Sequence, residues 1–175
     1  MAFALCTLQG SRAWARIASV VFVALALQLT GCAFPAKEAP GAQQAEVLAR
    51  LGSPTAIFAL PDGQQRLLYS ELPAGFAAYN LDFDAAGRLE RNEQVLTQTR
   101  FETIPVGVWT LADVQRTFGP PLLVERVARF DGDIWTYRFR QNSDPRLAHV
   151  HLDRQGIVRM VMFTDEMPSF DNTRN

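Results

Sequence analysis

Side chains suited to acid–base or metal chemistry are scarce in this chain of 175 residues. Its two histidines, His149 and His151, are spaced i, i+2, and Asp153 continues the same alternation. Alternate residues of a β-strand share a face, so this spacing would place three metal-ligand types in one row. A solvated strand face has the same pattern, and we favour that interpretation. The sequence therefore predicts neither a metal site nor a cofactor.

Residues for covalent or phosphoryl chemistry show no arrangement typical of an enzyme. Nucleophilic catalysis needs a base beside an activated Ser, Thr or Cys. Both histidines fall in one predicted strand, and the sequence has no Gly-x-Ser-x-Gly motif and no glycine-rich phosphate loop. Asp131 and Asp133 flank Gly132, which is typical of a turn. We therefore expect no catalytic residues, and a formal net charge of −1 argues against a nucleic-acid partner.

The beginning of the chain has the organisation of a signal peptide. Arg12 and Arg16 precede an apolar run at 17–27. As a helix this run would span about 16 Å, roughly half of a bilayer's hydrocarbon core, which is too short for a stable membrane-spanning helix. We interpret residues 1–31 as a targeting segment that is removed, together with Cys6.

Cys32 has the clearest chemical role of any residue in the sequence. It follows Leu29-Thr30-Gly31 just after the apolar run, and the four residues resemble the lipobox of bacterial lipoproteins. The resemblance implies acylation of the Cys32 thiol with palmitate-type chains, which would anchor the protein without a spanning helix. Ala33 stands where an Asp commonly retains lipoproteins at the inner membrane, which implies an outer-membrane protein facing the periplasm. Residues 32–41, rich in Ala and Pro, would form a flexible tether.

Two halves of the remaining chain carry the same pattern, which predicts an internal repeat. Each half begins with a helix pattern that ends in Gly and Pro, and strands with alternating apolar residues follow. We place the first repeat at 42–100 and the second at 101–175. The matched segments are 45–54 with 112–121, 67–69 with 135–137, and 81–89 with 150–158.

The predicted fold class is α+β, with a helix plus an antiparallel meander in each repeat. Thr110 and Asp113 have the spacing of a helix N-cap and its capping partner, and Gly119 marks the end of that helix. A repeat of this size would bury only about 60% of the surface of its unfolded chain, so the two copies should pack together. We expect them to form one sheet with the helices on one face.

Two strands carry candidate partner-binding residues. The last predicted strand is apolar on both sides. Alternation places Val158, Met160 and Met162 on one side, and Ile157, Val161 and Phe163 on the other. Such a strand is either sandwiched or lines a partner site. An earlier strand carries an aromatic row that either packs under the helices or anchors a partner on an open face. The row consists of Trp135, Tyr137 and Phe139.

Four arginines in the second repeat also admit two interpretations. They are either a solvated surface or a basic patch that meets lipid headgroups or an acidic partner. These residues are Arg129, Arg138, Arg140 and Arg146.

Together the motifs resemble the SmpA/OmlA (BamE-like) lipoprotein domain. They comprise Leu-Gly-x-Pro at 51–54, Phe-Gly-x-Pro at 118–121, Trp-x-Tyr at 135–137 and Asp-x-x-Gly at 153–156. Tandem copies over 42–166 resemble β-lactamase inhibitory protein, although Leu67 stands where the second repeat has Trp135.

The resemblance implies a non-catalytic outer-membrane lipoprotein that binds an envelope protein and supports outer-membrane assembly or integrity. An alternative is a periplasmic inhibitor or a peptide-binding module that uses the concave sheet face. A third reading is a structural scaffold without one defined partner.

Overall fold

The computed structural model describes residues 34–167, which fold into two four-stranded antiparallel sheets and three α-helices. The α+β class predicted from the sequence is therefore correct. The helices are α1 (Gln44–Leu51), α2 (Gln98–Glu102) and α3 (Leu111–Phe118). The strands are β1 (Ala56–Ala59), β2 (Gln65–Ser70), β3 (Ala78–Phe83), β4 (Leu89–Gln94), β5 (Leu123–Glu125), β6 (Gly132–Gln141), β7 (Asp144–Asp153) and β8 (Val158–Asp165).

In the first half, α1 packs on one face of the sheet formed by β1 to β4 in sequential order. Val47 of the helix is fully buried, since it contacts apolar side chains that alternate along β2 and β3. Leu67 and Leu81 lie opposite each other in the register of those two strands. This face forms its own apolar cluster.

In the second half, α3 packs on the sheet formed by β5 to β8, also in sequential order. Thr110 and Asp113 form the predicted capping box, which satisfies backbone N–H groups at the start of α3. These hydrogen bonds hold the pKa of Asp113 below its usual range. Phe101 of α2, a helix that the sequence patterns did not predict, stacks on Phe118 with ring centroids 4.3 Å apart.

The two halves agree in local detail as well as in element order. Gly52 ends α1 with φ 77° and ψ −161°, and Gly119 ends α3 with φ 78° and ψ −162°. Tyr69 donates a hydrogen bond to the carbonyl of Gly52 at 3.0 Å, and Tyr137 donates one to the carbonyl of Gly119 at 2.9 Å. In each half, a central strand therefore holds the end of its helix in the same way.

The expectation of one continuous sheet is wrong, because the eight strands form two separate sheets. Helix α3 lies between the sheets and also covers the second face of the first one. There Asn80 donates its side-chain amide to the carbonyl of Thr117 at 2.9 Å, and Arg66 donates to the carbonyl of Arg116 at 3.4 Å. The layers are therefore α1, first sheet, α3 and second sheet, so the first sheet has helices on both faces.

The segment before α1 explains why β4 does not continue into a longer sheet. Pro35–Lys37 form one turn of 3-10 helix beside β4. The side-chain amide of Asn92 donates to the carbonyls of Pro35 and Glu38 at 2.7 and 3.0 Å, and Glu38 pairs with Arg50 at 2.6 Å. Residues 35–38, part of the stretch predicted as a flexible tether at 32–41, thus lie against β4.

The predicted signal peptide and the lipid-attachment residue Cys32 lie outside the described residues. Within residues 34–167, no helix combines the length and the apolar character needed to span a bilayer.

Candidate partner-binding face

The aromatic row predicted as a possible anchor points toward α3. Tyr137 and Phe139 are fully buried there, and Trp135 is half-buried against the same cluster. Burial raises the pKa of the Tyr137 hydroxyl. Of the two interpretations of the aromatic row, the structure therefore supports packing under the helix. These side chains do not lie on an open face, where they could anchor a partner.

The opposite side of the second sheet forms what we call the outer face. Strand pairing places Ile134 beside His151, which lies beside Met160, and places Thr136 beside His149, which lies beside Met162. Leu123 of β5 lies opposite Thr136. The outer face therefore includes Leu123, Glu125, Ile134, Thr136, His149, His151, Met160 and Met162.

The last strand contributes to this face differently from the sequence prediction. The register between β7 and β8 shifts after His151, so that Val158 pairs with Leu152 while Met160 pairs with His151. Val158 is fully buried in the core with the α3 side of the sheet, not beside the methionines. Strict alternation cannot reveal such a bulge, because one extra residue reverses the face of everything before it.

Large apolar side chains stay exposed on the outer face. Leu123, Met160 and Met162 are 47%, 40% and 45% exposed. On the first sheet the corresponding face carries Leu68 and Asn80, which are 0% and 1% exposed beneath α3. The two sheets thus differ in whether a helix covers this side.

The two histidines are parts of the outer face, and other side chains of the described residues surround both rings. The nitrogens of His149 lie 2.9 Å from the hydroxyls of Thr136 and Thr164. Phe130 meets the ring of His151 edge-on, with ring centroids 5.0 Å apart, and the buried Nδ1 of His151 has no hydrogen-bond partner among the described residues. Burial lowers the pKa of both imidazoles.

Asp153 does not complete a metal-binding row with the histidines. Its carboxylate accepts backbone N–H groups from Gln155 and Ile157, each at 2.9 Å, and pairs with Arg159 at 2.6 Å. The Ile157 hydrogen bond is the main reason that the pKa of Asp153 lies below its usual range. Across residues 34–167, no group of three or more His, Cys, Asp or Glu side chains has a metal-binding arrangement.

One end of the outer face carries two of the four arginines predicted as a basic patch. Arg138 pairs with Glu166, and both Arg138 and Arg140 stack on the ring of Phe76, at 4.8 and 4.3 Å from its centroid. Arg146 pairs with Asp165 at 3.0 Å. Because two of these arginines have carboxylate partners, their charge is largely compensated within the chain.

A cleft of about 940 Å³ lies at the other end of the second sheet, between the β5–β6 loop and the β7–β8 turn. Two of its carboxylates, Asp131 and Asp133, pair with Arg154 and Arg126 at 2.6 and 2.5 Å. These pairs are exposed, so they contribute little energy. The Asp131 pair thus joins the β5–β6 loop to the β7–β8 turn, whereas the Asp133 pair lies within the β5–β6 hairpin.

Comparison with known proteins adds little to this geometry. No family model matches the chain, and no curated protein matches it. Among solved structures, it is similar to a DUF4309 family protein (YjgB) from Bacillus subtilis, at 16% identity over 71% of this chain and 79% of that one, with a TM-score of 0.31.

Proposed function

We propose that this chain is a non-catalytic lipoprotein of the bacterial outer membrane, anchored through Cys32, that binds another envelope protein through its outer face. The anchor rests on the lipobox-like sequence that ends at Cys32. The supporting role in outer-membrane assembly or integrity rests on the resemblance to the BamE-like domain. The two halves would then be diverged copies of one ancestral unit.

The observation that carries the proposal is the difference between the two corresponding sheet faces. On the first sheet, α3 buries Leu68 completely. On the second sheet, Thr136 at the matching central position is also buried, but Leu123, Met160 and Met162 on the two edge strands are exposed by 40% or more. Exposed apolar side chains on one face of a sheet are typical of a protein-binding surface.

The chemistry of the outer face favours an apolar helix of the partner protein as its occupant. Methionine side chains adapt to varied apolar surfaces, so they suit an interface that must accept another molecule's side chains. His149 is held by two threonine hydroxyls, so its ring has a fixed position on this face. The partner's helix would lie on the second sheet as α3 lies on the first.

Crosslinking in intact cells tests the proposal. A photo-crosslinking residue replaces Leu123, which lies on the outer face, and in a matched chain it replaces Ile57, an equally exposed apolar strand residue at 54%. We expect Leu123 to yield one covalent product with a defined envelope protein, and Ile57 to yield none. The same partner captured from both positions, or from neither, would contradict the binding face.

The anchor is tested separately with Cys32→Ser. Loss of the thiol should prevent acylation and release the chain from the membrane fraction, because the acyl chains supply the membrane affinity. Cys6→Ser, which changes the other cysteine, should leave fractionation unchanged. Membrane association of the Cys32→Ser chain equal to that of the unchanged protein would overturn the anchor.

A further inference from the structure

Strand β8 forms one edge of the second sheet. Along this edge, on the side away from β7, only its first residue, Val158, has backbone hydrogen bonds to other described residues. Gly107 donates its N–H to the carbonyl of Val158 at 2.8 Å, and Val158 donates to the carbonyl of Trp109 at 2.9 Å. For the rest of β8, the described residues contribute no backbone partner on that side.

The corresponding edge of the first sheet is formed by β4, and it can be compared directly with that of β8. Leu89 of β4 is paired as Val158 is, with Gly41 and Ala42 at 2.7 and 2.9 Å. There, however, the chain continues along the strand, and Asn92 binds the carbonyls of Pro35 and Glu38. A segment of the protein itself therefore lies beside the edge of β4, held by the side chain of Asn92, whereas the described residues provide no such contact along the edge of β8 beyond Val158.

Hydrogen-bond alternation identifies the unpaired groups of β8. Glu166 donates its N–H to the carbonyl of Pro145 at 3.2 Å, so its backbone groups face β7. In an antiparallel ladder these directions alternate along the strand. Val161, Phe163 and Asp165 therefore direct their N–H and C=O groups away from β7, toward the free edge. Such a row is a template for another strand.

We propose that the free edge of β8 pairs with β8 of a second copy of this chain, antiparallel, about a two-fold axis at Met162. Centred there, Val161 lies opposite Phe163 of the second copy, and these residues exchange their outward N–H and C=O groups. Two-fold symmetry makes every contact occur twice, as in the commonest class of homo-oligomers.

The side chains of β8 complement one another in this register. Met160 lies opposite Thr164 of the second copy. Arg159, which pairs with Asp153 in its own chain, lies beside Asp165, which pairs with Arg146 and whose side chain is 82% exposed. Centring the axis on Val161 would place Arg159 opposite Phe163, and centring it on Phe163 would place Val161 opposite Asp165. Only the Met162 register brings opposite charges together at both ends of the pairing, which favours it.

The pairing would join the two second sheets into one sheet of eight strands. The outer faces of both copies then lie side by side, with Met162 at the junction and Leu123 at the far edges. Anchoring both copies to one membrane raises their effective concentration, which favours a short interface of this kind. The dimer does not depend on the proposed envelope partner, since it uses backbone groups at the edge.

Disulfide trapping of the full chain in intact cells tests the register. At a two-fold axis through a non-hydrogen-bonded pair, the Cα atoms of residue 162 would be about 4.5 Å apart, which a disulfide can span. The Cα atoms of residue 160 would be about 13 Å apart, which it cannot. Mild oxidation should therefore link Met162→Cys into a dimer and leave Met160→Cys unlinked. The unchanged chain controls for Cys32.

Substitution by lysine tests the association itself. Met162→Lys places like charges directly opposite each other, so the dissociation constant measured by sedimentation of the intact protein in detergent should rise about fivefold or more. Met160→Lys adds the same charge on the same strand and face, and should leave dimerisation nearly unchanged. Circular dichroism confirms that both variants fold.

Two results would overturn the dimer: equal crosslinking at positions 160 and 162, or a monomeric unchanged chain at every concentration tested. With either result, the photo-crosslinking residue at position 123 would still capture an envelope protein if the proposed function is correct. Failure of the dimer is thereby distinguished from failure of the proposed function.

Discussion

The first sheet has a helix on each face, whereas the second sheet has one on a single face. Both are four-stranded meanders in sequential order, and both hold their own helix through a tyrosine and a terminal glycine. The difference arises because α3 belongs to the second half but also packs on the first. A helix at the junction of two similar units thus serves both, and leaves the last unit with a face that no helix of the described residues covers.

The residues at matching positions reflect this difference in environment. Leu68 and Asn80 lie opposite each other on the covered face, and Thr136 and His149 lie opposite each other on the outer face. Asn80 uses its amide to bind a helix carbonyl, whereas His149 is held by hydroxyls of its own sheet. Asn80 thus binds the helix that covers it, whereas His149 finds its partners within its own sheet.

The largest predicted effect compares one apolar side chain from each face. Leu68→Ala should lower the free energy of unfolding by about 2–5 kcal/mol, because it leaves a cavity beneath α3. Met162→Ala should change it by less than about 0.5 kcal/mol, since that side chain is already 45% exposed. Urea unfolding of both variants provides the measurement. Similar losses for both would mean that the outer face is covered in the isolated protein.

The next comparison uses the glycines that end α1 and α3. Both occupy a region of φ and ψ that favours glycine, so alanine at either position should cost about 1–3 kcal/mol. A Cβ on Gly119 would also lie 2.8 Å from Cδ2 of Leu68, whereas one on Gly52 would meet nothing within 4 Å.

We therefore expect Gly119→Ala to destabilise the protein by about 1 kcal/mol more than Gly52→Ala. Thermal unfolding of the two variants, compared with the unchanged chain, measures the difference. The comparison has an internal control, because the backbone strain is the same at both sites. An equal loss of stability at the two glycines would argue that α3 does not press on the first sheet.

The smallest predicted effect concerns pH. Burial lowers the pKa of His149 and His151 on the outer face, while Asn80, at the position of His149 on the covered face, does not titrate. A histidine with a lowered pKa in the folded state binds fewer protons than in the unfolded state. The free energy of unfolding should therefore fall as the pH drops from above about 6.5 through the folded pKa values.

Substituting His151→Asn should make this decline smaller, and urea unfolding between pH 7.5 and pH 5.5 measures it. The carboxylates Asp113 and Asp153 have lowered pKa values in the folded state. Their contribution to the free energy of unfolding is lost only at more acidic pH, so it does not overlap with that of the histidines. An unchanged slope in the His151→Asn chain would show that the ring is not desolvated in solution.

Local features of the fold followed from the sequence because they depend on residues close together in the chain. The capping box of Thr110 and Asp113, the helix ends at Gly52 and Gly119, and the meander strands all have such local causes. The short helix α2 and the bulge in β8 were missed, since neither changes the spacing of apolar residues in a recognisable way. The aromatic row of β6 could be placed on one side of a strand, but alternation does not say which side is core.

The residue types and their spacing in the sequence were enough to predict the class of the fold, its two similar halves and the chemical role expected of Cys32. Tertiary structure alone decided that α3 lies between two sheets, because that arrangement depends on contacts such as Arg66 with Arg116, 50 residues apart. The tertiary structure also placed the segment before α1 beside the edge of β4, and it left the edge of β8 beyond Val158 without a backbone partner among the described residues. Periodicity reports which residues share a face, whereas the occupant of that face is set by packing between distant segments.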